Sequence, residues 1–203
     1  LNTDTITVNF SGSAISGNIT VQGENACGVG LISANFPITV NIPSVAPTSI
    51  IGTTTICEGT STTLTVADGS AGTGAIIEWF TGSCGGTAVG TGNSITVSPT
   101  TTTTYYVRYS GDCNATTCAS VTVNVNPLPA AAGPISGPTG VCQGEVGINF
   151  SIPAIANVVS YVWTLPSGAT IDSGGNNSIS VNFSAIAESG NITVYGQNAC
   201  GVG

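Results

Sequence analysis

From Ser120 to Val125 the chain reads Ser-Val-Thr-Val-Asn-Val, and from Thr63 to Val66 it reads Thr-Leu-Thr-Val. Apolar and polar side chains alternating with a period of two fall on opposite faces of a β-strand. Wound into a helix, the same residues would be scattered around the whole surface, and no segment of this chain carries a helical apolar stripe. The pattern recurs in DTITVNF, FPITVNI, NSITVSP, TYYVRYS, SISVNF and NITVYG, with Gly, Asn, Ser and Pro between the runs. Threonine suits the outward positions, because its branched Cβ fits a pleated surface while the hydroxyl stays wet. Short antiparallel strands at this spacing predict an all-β sandwich architecture.

An internal repeat sets the organisation. Residues 1–30 align with 174–203 at an offset of 173, with 19 of 30 positions identical, including Ser16–Val21 against Ser189–Val194 and Asn25–Gly30 against Asn198–Gly203. The sequence therefore reads as a window on a longer repeating array. Proline-bearing stretches at Asn41–Ser49 and Asn124–Pro134 break the strand pattern. They divide the chain into a partial module at 1–45, a complete one at 46–127 and a third at 128–203 that lacks its last strand.

Charge excludes several functions. Arg108 is the one basic residue against nine acids, there is no Lys or His, and the net charge is −8. A chain without a basic patch is not a nucleic-acid binder. It also lacks the commonest general base and the side-chain amine of covalent catalysis. A single tryptic site, after Arg108, suits a chain living among extracellular proteases, although compositional drift would give the same result.

Seven cysteines stand at 27, 57, 84, 113, 118, 142 and 200. None forms a C-x-x-C pair and no His can complete a zinc site, so the cysteines read as disulfides of an oxidising, extracytoplasmic compartment. Cys142 and Cys200 are the cysteines of their module and are expected to pair. Cys27 repeats Cys200, so its partner is expected ahead of Leu1. The four cysteines of the middle module allow three connectivities, which spacing leaves open; a local Cys113–Cys118 bridge is one of them.

Two modules share a Cys–Trp spacing: Cys57 precedes Trp79 by 22 residues and Cys142 precedes Trp163 by 21. A cysteine, a strand-borne tryptophan and a later cysteine after a tyrosine-bearing strand follow the immunoglobulin-like pattern. Trp79 and Trp163 are expected in the cores, and Tyr105 or Tyr106 fits the corner tyrosine, with Tyr106 assigned to the core. The competing role for the tryptophans is a sugar-stacking platform.

The stretch from TTTICEGTSTTLTV through SCGGTAVG and SPTTTTTYYVRYS to ASVTVNV resembles the Ig-like repeats of very long secreted surface proteins of Bacteroidota. The stretch from GPISGPTGVCQGEVGINF through VVSYVWTLPSGATI to NITVYGQNACGVG resembles the PKD-like modules that alternate with them. Proteins of this kind leave the cell by the type IX secretion system, and gliding adhesins of the SprB type are the best-known examples. The resemblance implies tandem antiparallel sandwiches in an elongated array, a place on the outer cell surface, and no catalytic residues. It also implies Cys57–Cys113 pairing, leaving Cys84 with Cys118. Gln22 departs from the aromatic Tyr195 at the matching strand position.

Candidate sites are few. Asp4, Asp68, Asp112 and Asp172 are scattered without a calcium-loop pattern, so no cofactor is expected and calcium bridging at module junctions is the one ion role left open. Asp4-Thr5-Ile6 fits the short O-glycosylation pattern of the phylum at Thr5, or an ordinary strand start. Two main functions follow. One is a non-catalytic adhesin stalk, each period adding roughly 60–80 Å of reach, whose partners are neighbouring repeats, the secretion machinery, and surface or polysaccharide ligands bound elsewhere in the protein. The other is a set of carbohydrate-binding or spacer modules on a secreted polysaccharide hydrolase. A self-assembling filament is a third.

Overall fold

The structure, a computed structural model, describes residues 4–203. All of its regular elements among these residues are strands. The N-terminal segment carries β1 (Gly17–Ile19), β2 (Glu24–Asn25), β3 (Gly28–Val29) and β4 (Phe36–Ile38). The middle segment carries β5 (Ile50–Ile51), β6 (Thr55–Cys57), β7 (Thr62–Val66), β8 (Ile76–Thr81), β9 (Thr87–Thr91), β10 (Ser94–Val97), β11 (Thr103–Ser110) and β12 (Ala119–Asn126). The C-terminal segment carries β13 (Ile148–Ser151), β14 (Ser160–Thr164), β15 (Ala169–Gly174), β16 (Ser178–Phe183), β17 (Thr193–Asn198) and β18 (Gly201–Val202). By spatial proximity the chain forms two compact units. The first comprises the described residues up to Ile51 with Thr65–Ile95 and Tyr105–Val121; the second comprises Gly52–Leu64, Thr96–Thr104 and Thr122–Gly203. Strands β7, β10, β11 and β12 each contribute residues to both units.

In the middle segment the strand orders are β10-β7-β5 and β6-β12-β11-β8-β9. The period-two expectation holds residue by residue in β7, where Thr62, Leu64 and Val66 are buried and Thr63 is exposed. Outward threonines of neighbouring strands meet through their hydroxyls, Thr63 with Thr96 at 3.1 Å and Thr104 with Thr122 at 2.8 Å. In β11 the alternation buries Tyr105, Val107 and Tyr109. Tyr106, assigned to the core from the sequence, falls on the other face and is half-buried. The correction follows from parity: in Tyr-Tyr-Val-Arg-Tyr the buried row has to contain Val107, which selects Tyr105 and Tyr109. The Tyr109 hydroxyl donates to the Asp68 carbonyl at 3.3 Å.

Trp79 is fully buried and its Nε1 donates to the Gly92 carbonyl at 2.8 Å, so the indole is packed without an unpaired donor. Glu78 accepts from Arg108 Nε at 2.9 Å across the β8–β11 ladder, and the guanidinium sits 5.0 Å from the Phe80 ring centroid.

The C-terminal segment orders its strands β13-β16-β15 and β14-β17-β18. Phe150, Ile179, Val181 and Phe183 form its buried cluster, with the two phenyl rings edge to face. Trp163 is half-buried, packs against this cluster, and donates Nε1 to the Asn176 carbonyl at 2.8 Å. Each tryptophan thus reaches the carbonyl thirteen residues downstream, a device common to both segments.

The sequence repeat is also a structural one. The β2–β3 register, Glu24↔Val29 and Asn25↔Gly28, matches the β17–β18 register, Gln197↔Val202 and Asn198↔Gly201. In each copy the asparagine Oδ1 accepts from the cysteine amide two residues on, at 2.8 Å.

Candidate functional site

Chemistry in this chain concentrates at its cysteines. Strand β6 lies parallel to the end of β12, which places Cys57 beside Asn126. The turn after β17 reaches the same place. Asn198 Nδ2 donates to the carbonyls of Pro127 and Asn157, each at 2.9 Å, and Cys200 Sγ lies 3.6 Å from the Asn126 carbonyl. Cys57 and Cys200 are joined there, with Cα atoms 5.4 Å apart and a sequence separation of 143. Both belong to the second compact unit, so the bond ties an edge strand of the middle segment to the C-terminal hairpin.

This overturns two expected pairings, Cys142–Cys200 and Cys57–Cys113. Cys142 and Cys113 are exposed free thiols, as is Cys27. The expectation confined each disulfide to its own module. Asn198 instead pins the Cys200 turn to the Pro127 linker, and β6 delivers Cys57 to that linker. Cys142 lies elsewhere, its amide held by Glu145 Oε2 at 2.8 Å. No local signal marks the pair, since Asn-Ala-Cys precedes both Cys200, which is bonded, and Cys27, which is free. Cys84 and Cys118 are bonded, with Cα atoms 5.8 Å apart, inside the first unit.

The acids do not converge, and no cluster of three or more His, Cys, Asp or Glu side chains that could hold a metal occurs among the described residues. Asp68 is used locally. Its carboxylate accepts from the Thr48 hydroxyl, from the Thr48 amide at 2.6 Å, and from the hydroxyl and amide of Ser49. Those bonds, Thr48 first, hold its pKa at about 2. Asp172 accepts from Asn182 Nδ2 at 3.1 Å. Thr5 is exposed and lies outside any strand, so the ordinary strand start does not describe it. Burial pushes the phenol of Tyr105 up.

A groove of about 560 Å³ opens on the second unit, over Ile135, Val141, Phe150, Phe183 and Ile192, with Cys142 on its wall. Glu188 is the one carboxylate among its lining residues, whereas glycoside hydrolysis uses a pair.

Comparison with known families gives two matches. Residues 43–127 match the model described as an Ig-like domain, CHU_C associated, and residues 128–203 match that of a PKD-like domain. No curated protein matches the chain. From residue 43 to its last residue, then, this is an all-β chain of an Ig-like and a PKD-like β-sandwich module in tandem.

Proposed function

We propose that the chain is a non-catalytic segment of the extracellular stalk of a large bacterial surface adhesin, built from modules at 1–45, 46–127 and 128–203. The observation that carries the reading is the Cys57–Cys200 bond. It couples the Ig-like match to the PKD-like match covalently, as a load-bearing spacer needs and a freely swivelling appendage does not. Module types common in surface proteins and a 173-residue repeat support it. The carbohydrate-binding reading is weakened by the tryptophans, since Trp79 is fully buried and Trp163 is packed against Phe150 and its neighbours.

The test is the size and content of the polypeptide that carries this sequence, recovered with an antibody to the chain and mapped with a chymotrypsin-like protease. A very long chain dominated by this period, with no catalytic domain, is the expected result. One or two copies attached to a hydrolase domain would sink the stalk reading.

A further inference from the structure

One hairpin occurs twice, and its second copy is bonded. The β2–β3 and β17–β18 hairpins share their register and the asparagine bond to the cysteine amide. They also close alike, Gly30 N donating to the Gly23 carbonyl at 2.8 Å and Gly203 N to the Gly196 carbonyl at 3.1 Å. Gly28 and Gly201 hold matching backbone, with φ of 135° and 142°, a region that favours glycine. The second hairpin shows what these features serve. Asn198 Nδ2 ties it to the Pro127 and Asn157 carbonyls, a Cβ on Gly201 would stand 3.2 Å from the Leu128 side chain, and one on Gly203 would clash with the Pro129 carbonyl oxygen. One asparagine and two glycines thus seat the hairpin against the linker and carry Cys200 to Cys57. Asn25, Gly28 and Gly30 repeat all three around Cys27.

We propose that Cys27 is the same clasp one period earlier, forming a disulfide with the cysteine that lies 173 residues before Cys57, in an Ig-like module ahead of Leu1. The inference rests on the repeating-array reading above. It replaces the partner that pairing within modules assigns to Cys27, the counterpart of Cys142, because Cys142 is free whereas Cys57 is bonded. Two thiols become one S–S bond with the loss of two protons and two electrons. The electrons pass to the disulfide of an extracytoplasmic thiol oxidant, which is reduced to its dithiol. Each Ig-like module is then locked to the PKD-like module that follows it. The next joint is of another kind: Asn114 Oδ1 accepts from the Ser44 amide at 2.8 Å, and Asn114 Nδ2 donates to the Ser44 carbonyl at 3.0 Å. Covalent and hydrogen-bonded joints therefore alternate along the array.

A swapped chain tests whether the first hairpin can take this role. Residues 174–203 are replaced by residues 1–30, which changes the 11 of 30 positions outside the 19 that agree and keeps the buried Ile179, Val181 and Phe183 as Ile6, Val8 and Phe10. After oxidation with glutathione disulfide, mass spectrometry of linked peptides should place the transplanted Cys27 on Cys57, with Cys113 and Cys142 open to alkylation. A swapped chain that folds by circular dichroism and yet has Cys57 alkylated overturns the proposal; if the swapped chain does not fold, the parent polypeptide decides. The parent is alkylated and then digested without reductant. Its Cys27 peptide, marked by Glu24 where the Cys200 peptide has Gln197, should carry no alkyl group and be linked to a peptide of an upstream Ig-like module. Cys27 alkylated behind such a module, or linked to the counterpart of Cys142, overturns the clasp and leaves the stalk reading standing. A parent with no Ig-like module ahead of Cys27 overturns both.

Discussion

Cys57 and Cys200 lie 143 residues apart in the chain and are bonded to each other, while Cys142, the nearest cysteine upstream of Cys200, is free. The bond joins a residue of the Ig-like match to one of the PKD-like match, so the covalent frame of this chain crosses the boundary between the two matched segments.

Removing either partner is expected to lower stability. A closed loop of this length contributes roughly 4–5 kcal/mol in the chain-entropy account. Cys57→Ser, Cys200→Ser and the double variant should lose the same amount, because each breaks one bond. Cys142→Ser and Cys113→Ser should leave the melting temperature in place. Thermal melting with and without reductant measures all five; a loss in Cys142→Ser equal to that in Cys200→Ser would contradict the pairing.

Asp68 should make the first unit acid-sensitive within a defined window. Its carboxyl titrates at about 2 in the folded chain, against about 3.9 in an unfolded one. The stabilisation from Thr48 and Ser49 is thus fully present above about pH 4 and fades as pH falls toward 2. In Asp68→Asn the denaturation midpoint should lose that part of its dependence on pH between those values. A wild-type curve that is flat there would count against the bonds to Thr48.

Burial separates the adjacent tyrosines. Tyr105 is 5% exposed whereas Tyr106 is half-buried on the opposite face. Tyr105→Ala should cost about 3–5 kcal/mol in urea denaturation, in the range of large-to-small aromatic substitutions, and Tyr106→Ala clearly less. Equal costs would mean that the parity of β11 is other than described.

Trypsin reports on Arg108. Its side chain is 26% exposed, paired with Glu78 and set in β11, with β12 and β8 on either side. Folded chain should resist cleavage, and the cutting rate should follow the unfolded population as denaturant is added. Prompt cleavage of the folded chain, followed by mass spectrometry, would show that the strand is open to the protease.

Much of the fold was legible because β-sandwich burial has a period that short runs reveal: Leu64, Val66, Val107 and Val123 are buried on the rows their alternation assigns. Trp79 was legible for the same reason. Tyr106 was misplaced because two tyrosines in succession fit either parity, and the choice rests on neighbours rather than on the pair itself. Cys84 and Cys118 are bonded as the resemblance implied, whereas the Cys57–Cys200 pair was illegible in a deeper sense. Pairing depends on where separate strands end, and the parallel placement of β6 on β12 is a long-range feature with no local marker. The groove was invisible too, since it depends on which strands find a partner.

The Cys57–Cys200 bond also decides how far the chain can be drawn out. Pulled from its two ends, tension would pass from Cys57 directly to Cys200. The stretch between them, a sequence separation of 143 that includes Trp79 and the Cys84–Cys118 loop, would carry none of it. At about 3.3–3.6 Å per extended residue, roughly 470–510 Å of contour length is withheld for as long as the bond is intact. Reduction would release that length, so the extensibility of the chain is set by the redox state of its surroundings.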